Sequence, residues 1–529
     1  MYGLRQPKPQ VSQALALPPP VGGINDLDPL ATMGPEFMID GMNFFPDTGT
    51  LNVRSGYQVW VGNVPGGAVK TIMSYNTVDG SFRVFACTDT GIYNVTASVD
   101  VAPLVKAVTN GQMEWTNFAT AAGQYLIACN GQQTVFANGL TWGNFTQVTT
   151  PAAPGEIKGV NPNTFNFVLV HKGRLWFLQT GSLTAWYLPI DSVGGEAKPF
   201  FLGGLFKRGG YLISLARWSM DTGEGLDDRI IFLSSAGEIA SYSGNDPSNA
   251  ADWTLDSIFF IAPPLGPRAI VDFGGDILFL SRRGLVPLSV LVQGVATDVM
   301  YSSVMSKRIS RTLINLTAPT SPRFPIEIGF QSELALITIN IYDERTQAPL
   351  QLVMNLLTGA WGKFNYPVRT IRSVDRSVFM GTDDGRVLVV TMNRHVDNVP
   401  RVGVGGDPIE AYAFSAYSYL DDPTTNKHAK FIRPIFHTEV KPSFRIRALP
   451  DFRLDTFLAT PIPNFAVGNA IWDVSFWDTV NWAGLENVYR PWVSANVLGY
   501  AFAWQLRVST SSPLSVAAME WVWESGGLI

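Results

Sequence analysis

The sequence predicts an all-β protein: a β-propeller of six to eight blades, with seven favoured, a C-terminal β-sandwich-like domain after it and an extended N-terminal arm before it. Three observations carry this expectation. An apolar β-type run, a glycine or polar turn and a second apolar run recur at Phe82–Val95, Tyr125–Phe136, Leu175–Tyr187, Arg229–Tyr242, Ile277–Leu288 and Val378–Val390. The turn glycines Gly91, Gly131, Gly181, Gly237, Gly284 and Gly385 stand roughly 40 to 56 residues apart, with one final step of about 100, which is the period of four-stranded propeller blades. The double step contains a further hairpin, Leu334–Tyr342, the polar turn Asp343–Gln347 and Leu350–Leu357, which brings the hairpins to seven. Finally, 46% hydrophobic and only 15% charged residues, with 49 glycines and 35 prolines among 529 residues, suit short strands and tight turns rather than long helices.

Taken in order, residues 1–57 read as an arm and the segment leading into the propeller. Residues 1–23, ending in PPPVGG, are too rich in proline, glutamine and glycine to build a hydrophobic core, so an extended arm is expected. Met38–Phe45 reads as a short helix or strand, and Pro46-Asp47-Thr48-Gly49 as a turn before a strand at Thr50–Arg54.

Residues 58–396 form the propeller. Within it, Trp115, Trp142, Trp253 and Trp361 follow the hairpins at matching places, where large aromatics fill the wedge that widens away from the axis. Ser302–Leu313 interrupts the β pattern with Val304, Ile309 and Leu313 near one helical face and Lys307, Arg308 and Arg311 mostly off it. A short surface helix with a solvated basic face is the expectation there.

Asp397–Pro408 is a proline- and glycine-rich joint, and residues 397–529 read as a second β region. Alternation at Phe431–Glu439, Phe444–Leu449 and Ala503–Thr510 buries one face of each strand. Ile471–Trp482 carries three tryptophans spaced five apart, which fits neither strict alternation nor a long helical stripe. Core packing is the expected use of these rings, with a sugar or a partner protein as the other reading.

Composition and motifs exclude several functions. A net charge of −5 without a long basic run disfavours electrostatic capture of DNA. No apolar stretch is long enough to suggest a signal peptide or a membrane span, so the sequons at Asn94, Asn144 and Asn315 are expected to be idle. Cys87 and Cys129 stand at equivalent places in neighbouring repeats and read as small core residues. His171, His395, His428 and His437 form no zinc signature, and no nucleophile elbow or phosphate loop occurs. Asp383-Asp384-Gly385 lacks the alternating acids of a calcium loop and reads as a hairpin turn. No catalytic residue, cofactor or metal set is predicted, and an enzyme is not expected.

Three ordered stretches carry a resemblance. Leu334–Lys363 (LALITINIYDERTQAPLQLVMNLLTGAWGK), Ile277–Leu313 with its V-P-L-S segment at Val286–Ser289, and the C-terminal series Lys430–Glu439, Phe444–Pro450 and Trp504–Val516 are similar to the packaged-DNA stabilisation proteins, the tail nozzle or hub components of short-tailed bacteriophages (podoviruses). The resemblance implies a virion structural protein made in the host cytoplasm and assembled as a homohexamer beneath the portal. It implies contact with the head-to-tail adaptor, with tail fibres, tailspikes or a tail needle as further partners. Double-stranded DNA would be retained and then guided out without sequence-specific binding, and the N-terminal arm and C-terminal domain would face the adaptor. The other expectation is a carbohydrate-binding or degrading receptor-recognition propeller of a phage tail.

Overall fold

In the computed structural model, residues 12–221, 226–292, 304–318, 324–331, 335–390, 394–403, 405–456, 458–461 and 487–526 are described. Among them the predicted repeat becomes seven blades around one axis. The inner strands are Thr71–Asn76, Glu114–Thr120, Phe165–His171, Leu212–Asp221, Ile270–Phe273, Glu327–Gln331 and Thr370–Val374, for blades 1 to 7. Each packs beside the next, and the seventh packs beside the first to close the ring.

Four of the six repeat glycines fall between the second and third strand of a blade, Gly91 and Gly284 open the third strand, and the polar turn in the double step joins the same two strands in blade 6. Strand polarity explains why these turns share one end of the propeller with the starts of the inner strands. In blade 1, for example, Thr71, which opens the inner strand, is paired with Cys87 near the end of the second. At Gly237 the backbone has φ +80, and a Cβ there would lie 2.4 Å from the Ile261 carbonyl oxygen, so glycine is required. Gln347 takes the corresponding positive φ in blade 6.

Blades 1 to 4 each have four strands from one contiguous stretch, and aromatic rings fill the gaps between them. Trp142 of blade 2 meets Phe85 of blade 1 edge-on at 5.1 Å, and Phe145 beside blade 2 meets Phe177 of blade 3 at 6.0 Å. Trp176 of blade 3 stacks on Trp253 of blade 4 at 5.5 Å. Such rings contribute area and a further gain from their geometry, about 0.5–1.5 kcal/mol per pair. Cys87 and Cys129 are free, buried and in register with the first residues of their inner strands, Thr71 and Glu114. Burial pushes both thiols up.

The other three blades borrow material. Among the described residues blade 5 has three strands, Ile270–Phe273, Asp276–Ser281 and Gly284–Pro287. The predicted surface helix is a 3-10 turn at Lys307–Ile309 and an α-helix at Ser310–Thr317, shifted toward the C-terminus of the expected span. Ile309, Leu313 and Leu316 enter the core of blades 5 and 6, while Lys307, Arg308 and Arg311 stay exposed. The Asp26 carboxylate accepts from the backbone N–H groups of Arg311 and Thr312 at 3.2 and 2.6 Å, so the first turn of the helix is capped from the other end of the sequence. Blade 7 takes its outer strand, Tyr57–Asn63, from before the propeller; Val387–Val390 pairs with it antiparallel.

Blade 6 has Leu336–Asp343, Ala348–Asn355 and Trp361–Phe364 outside its inner strand, and its outer strand pairs at Trp361 with Gly23 of Gly23–Ile24. That pairing continues the blade into one sheet of a β-sandwich, through Phe37–Met42, Asp407–Ser415, Phe502–Thr510 and Ser443–Pro450. The second sheet joins Leu514–Ser525 and Lys427–Thr438 to Gln13–Leu17, Leu51–Val53, Asn487–Tyr489 and Val493–Gly499. The sandwich is thus made from both ends of the chain, and one buried cluster runs from Ile339 and Leu352 of blade 6 through Trp361 and Phe44 to Trp504 and Trp521.

Two expectations become specific here. From Gln13 onward the proline-rich arm does join a core: it pairs with Leu514–Ser525, and Leu15 and Leu17 pack against the main cluster, because that strand offers a free edge. Of the two alternatives for Met38–Phe45 the structure takes the strand, as Phe37–Met42 and Phe44–Pro46. The tryptophan-rich stretch 471–482 lies outside the described residues.

Arg54 fastens these parts together. Its guanidinium makes two 2.7 Å bonds to Asp397, donates to Asn43 Oδ1 at 2.9 Å and Asn365 Oδ1 at 3.1 Å, and lies 4.2 Å over the Tyr366 ring. It therefore holds the closing strand, the link between blades 6 and 7, and the exit toward the sandwich.

Candidate functional site

The propeller axis is the place where all seven blades converge. Their inner strands surround a cavity of about 470 Å³. Pro267 and Arg268, just before the inner strand of blade 5, project across one end of it. Arg268 Nε donates to Glu114 Oε1 of blade 2 at 2.7 Å, and Nη2 donates to Thr71 Oγ1 of blade 1 and to the Met113 carbonyl, both at 2.7 Å. Nη1 donates to the Lys70 carbonyl at 3.1 Å and stands 3.8 Å from Glu327 of blade 6. One side chain thus ties blade 5 to blades 1, 2 and 6, at the end where the inner strands begin.

The electrostatics follow from the geometry. Burial works against the Arg268 charge, but Glu114 and Glu327 outweigh it and hold the group above its ordinary pKa. Burial pushes the Glu327 carboxyl up, partly offset by Arg268, whose shortest ion pair is with Glu114. The arrangement bars passage along the axis.

Beyond the plug, two charged groups face the cavity. Arg372 of blade 7 reaches past blade 1 to lie 4.7 Å over the ring of Trp115 in blade 2. Asp272 of blade 5 is wetted by the same space. Phe167, Leu169 and Phe330 supply an apolar wall, and Ser74, Thr116 and Ser214 supply hydroxyls.

The residues weighed from sequence are placed as follows. Asp383 pairs with Arg369 at 3.1 Å, and Asp384 accepts from Arg386 at 2.8 Å, so these turn carboxylates engage arginines of their own blade. His171 is buried in blade 3 beside Trp253, and burial, with Lys172 nearby, lowers its pKa to about 4. His428 meets Asn496 in the sandwich at 2.8 Å, and burial lowers the pKa of His395. Among the described residues no group of three or more His, Cys, Asp or Glu could hold a metal ion. Arg268, Arg372 and Asp272 were invisible to motif reasoning: each is a lone charged residue at or beside an inner strand, and Arg268 finds its carboxylate partner 154 residues away.

No family model and no curated protein matches the chain. Solved structures similar to it are propellers or propeller-containing chains. The BBS1N chain in complex with ARL6DN is 11% identical with a TM-score of 0.38, covering 66% of this chain and 99% of that one. The β-propeller domain of Myceliophteria thermophila Cps50 (Swd1) is 9% identical with a TM-score of 0.36, covering 64% and 98%. Saccharomyces cerevisiae Sqt1 is 13% identical with a TM-score of 0.34, covering 64% and 100%. At these scores the likeness says nothing of function.

Proposed function

We propose that the chain is a structural virion protein: six copies form the tail nozzle of a short-tailed phage, bound to the head-to-tail adaptor beneath the portal. One observation carries the reading. The stretch that most resembles the nozzle family, Leu334–Lys363, folds from Ala335 onward into blade 6, the blade whose outer strand continues into the sandwich. A sheet shared between two bodies resists relative motion, because bending it means breaking backbone hydrogen bonds rather than flexing a linker. That suits a wall that holds packaged DNA before ejection.

In this role the protein is not an enzyme. The plugged propeller axis cannot be the DNA path, so duplex DNA would run between subunits, along a lumen lined by outer surfaces of the six copies. A chain with a net charge of −5 makes few ion pairs with phosphates, so DNA can slide without breaking many of them. Heterologous contacts that close after six copies give the ring.

The test is native mass measurement and negative-stain imaging of the purified protein, alone and with the adaptor. Six-fold rings, alone or on the adaptor, support the nozzle. A monomer that stays monomeric on the adaptor overturns it, and glycan binding or hydrolysis by that monomer would favour a receptor-recognition propeller instead.

A further inference from the structure

We propose that the axial cavity is a binding site for a small zwitterion of the amino-acid class, whose carboxylate is taken by the Arg372 guanidinium and whose ammonium group is taken by the Asp272 carboxylate. The argument begins with two arginines in one cavity. Arg268 spends its N–H groups on a carboxylate, a hydroxyl and two backbone carbonyls, which is what a structural guanidinium does. Arg372 makes no hydrogen bond or ion pair among the described residues; its one close partner is the face of Trp115, which leaves the N–H edge open to the cavity. A guanidinium fork held over an aromatic ring, with its N–H groups free of protein partners, suits a planar, two-oxygen acceptor, and a carboxylate is that acceptor.

Charge balance then narrows the ligand. Five titratable side chains line the cavity, the cations Arg268 and Arg372 and the carboxylates Glu114, Glu327 and Asp272. Arg217 of blade 4, whose charge also reaches Asp272, evens the count at three cations and three carboxylates, so a ligand carrying both signs leaves that balance undisturbed. Glu114 and Glu327 face Arg268, but Asp272 likewise has no hydrogen bond or ion pair among the described residues. It stands on the inner strand of blade 5, two blades from Arg372, with the inner strand of blade 6 between them. Arg372 and Asp272 thus keep their hydrogen-bonding edges free while feeling each other's charge and those of Glu327 and Arg217, and a molecule carrying both charges satisfies both edges at once.

Size and lining agree. About 470 Å³ lies within the range of small-molecule sites and admits an amino acid or a dipeptide. Phe167, Leu169 and Phe330 favour an apolar side chain. Arg268 seals the end where the inner strands begin, so the ligand enters from the opposite mouth. The inference does not depend on the nozzle reading.

Titration calorimetry on the full chain tests it with L-leucine and L-phenylalanine as probes. N-acetyl-leucine, which lacks the ammonium group, and leucinamide, which lacks the carboxylate, are the controls. Leucine or phenylalanine should bind, and each control should bind at least about tenfold more weakly, since each loses one charge-assisted contact. Arg372→Lys should weaken leucine but not leucinamide, and Asp272→Asn should weaken leucine but not N-acetyl-leucine, with the unliganded melting temperature of each variant confirming that it folds. The proposal is overturned if neither amino acid binds at millimolar concentration, if N-acetyl-leucine binds as tightly as leucine, or if both variants bind leucine like the parent.

Discussion

Blades 1 to 4 and blades 5 to 7 solve the same packing problem in different ways. The first four are built from consecutive residues and seal against each other with aromatic rings. Among the described residues blade 5 has three strands and leans on a helix, blade 6 runs on into the sandwich, and blade 7 borrows Tyr57–Asn63. One arc is therefore held by side chains that meet locally, the other by pairings between distant parts of the chain. The second arc also carries Arg54, the Asp26 cap and the origin of the axial plug.

The largest effect should come from Arg54→Ala. Removing one partner of a buried ion pair strands Asp397 and empties the contacts to Asn43, Asn365 and Tyr366, for a loss of about 5 kcal/mol in denaturant unfolding. Hydrogen exchange should show blade 7 and the sandwich loosening together; if the sandwich keeps its protection, the two are not welded as described.

Trp176→Ala strikes the other arc. The ring is fully buried and meets Tyr187, Phe200, Phe232 and Trp253, so about 4 kcal/mol should be lost. The exchange signature should stay within blades 3 and 4. Spread to the sandwich would mean that the local arc is not local.

His171 offers a titration of the same arc. Its pKa near 4, against an ordinary 6.5, means that the unfolded chain takes up a proton over a range where the folded one does not. Its contribution is therefore undiminished above about pH 6.5, declines as pH falls, and is lower by about 2 kcal/mol at pH 5. Thermal melts of the protein and of His171→Gln between pH 8 and 5 should diverge in slope, the variant being the flatter; parallel curves would place the acid sensitivity elsewhere.

The smallest change is Asp26→Ala, which removes the cap on Ser310–Thr317 and should cost about 1 kcal/mol, read from the denaturation midpoint. Asp26→Asn, which keeps an acceptor oxygen, should recover part of it.

What could be read beforehand follows the same division. The turns at Gly91 to Gly385 and at Asp343–Gln347 are local chemistry, each set by a few neighbouring residues, and so the blades could be counted from sequence. Trp142 and Trp253 fill gaps between blades as expected, whereas Trp115, expected in the same wedge, falls on an inner strand and lines the axial cavity, because its place in the repeat is one strand off theirs. The pairing of Gly23 with Trp361, the strand exchange at Val387–Val390 and the reach of Arg268 to Glu114 leave no local trace, because each partner satisfies its own propensity without the other. The extended form of the arm was legible from its composition, but its partner strand was not: composition tells whether a segment can fold alone, not whether another strand will take it in.

The borrowed outer strand of blade 7 also bears on time. Tyr57–Asn63 leaves the ribosome about 330 residues ahead of its partner Val387–Val390, which is roughly 20–60 s at ~5–20 residues per second. Through that interval the ring stays open, and the sandwich, which needs the final strand Leu514–Ser525, waits longer still. The nascent chain therefore carries unpaired edges through that interval. Any surface that the sandwich completes, including one that recruits other copies, matures only after Leu514–Ser525 has been made.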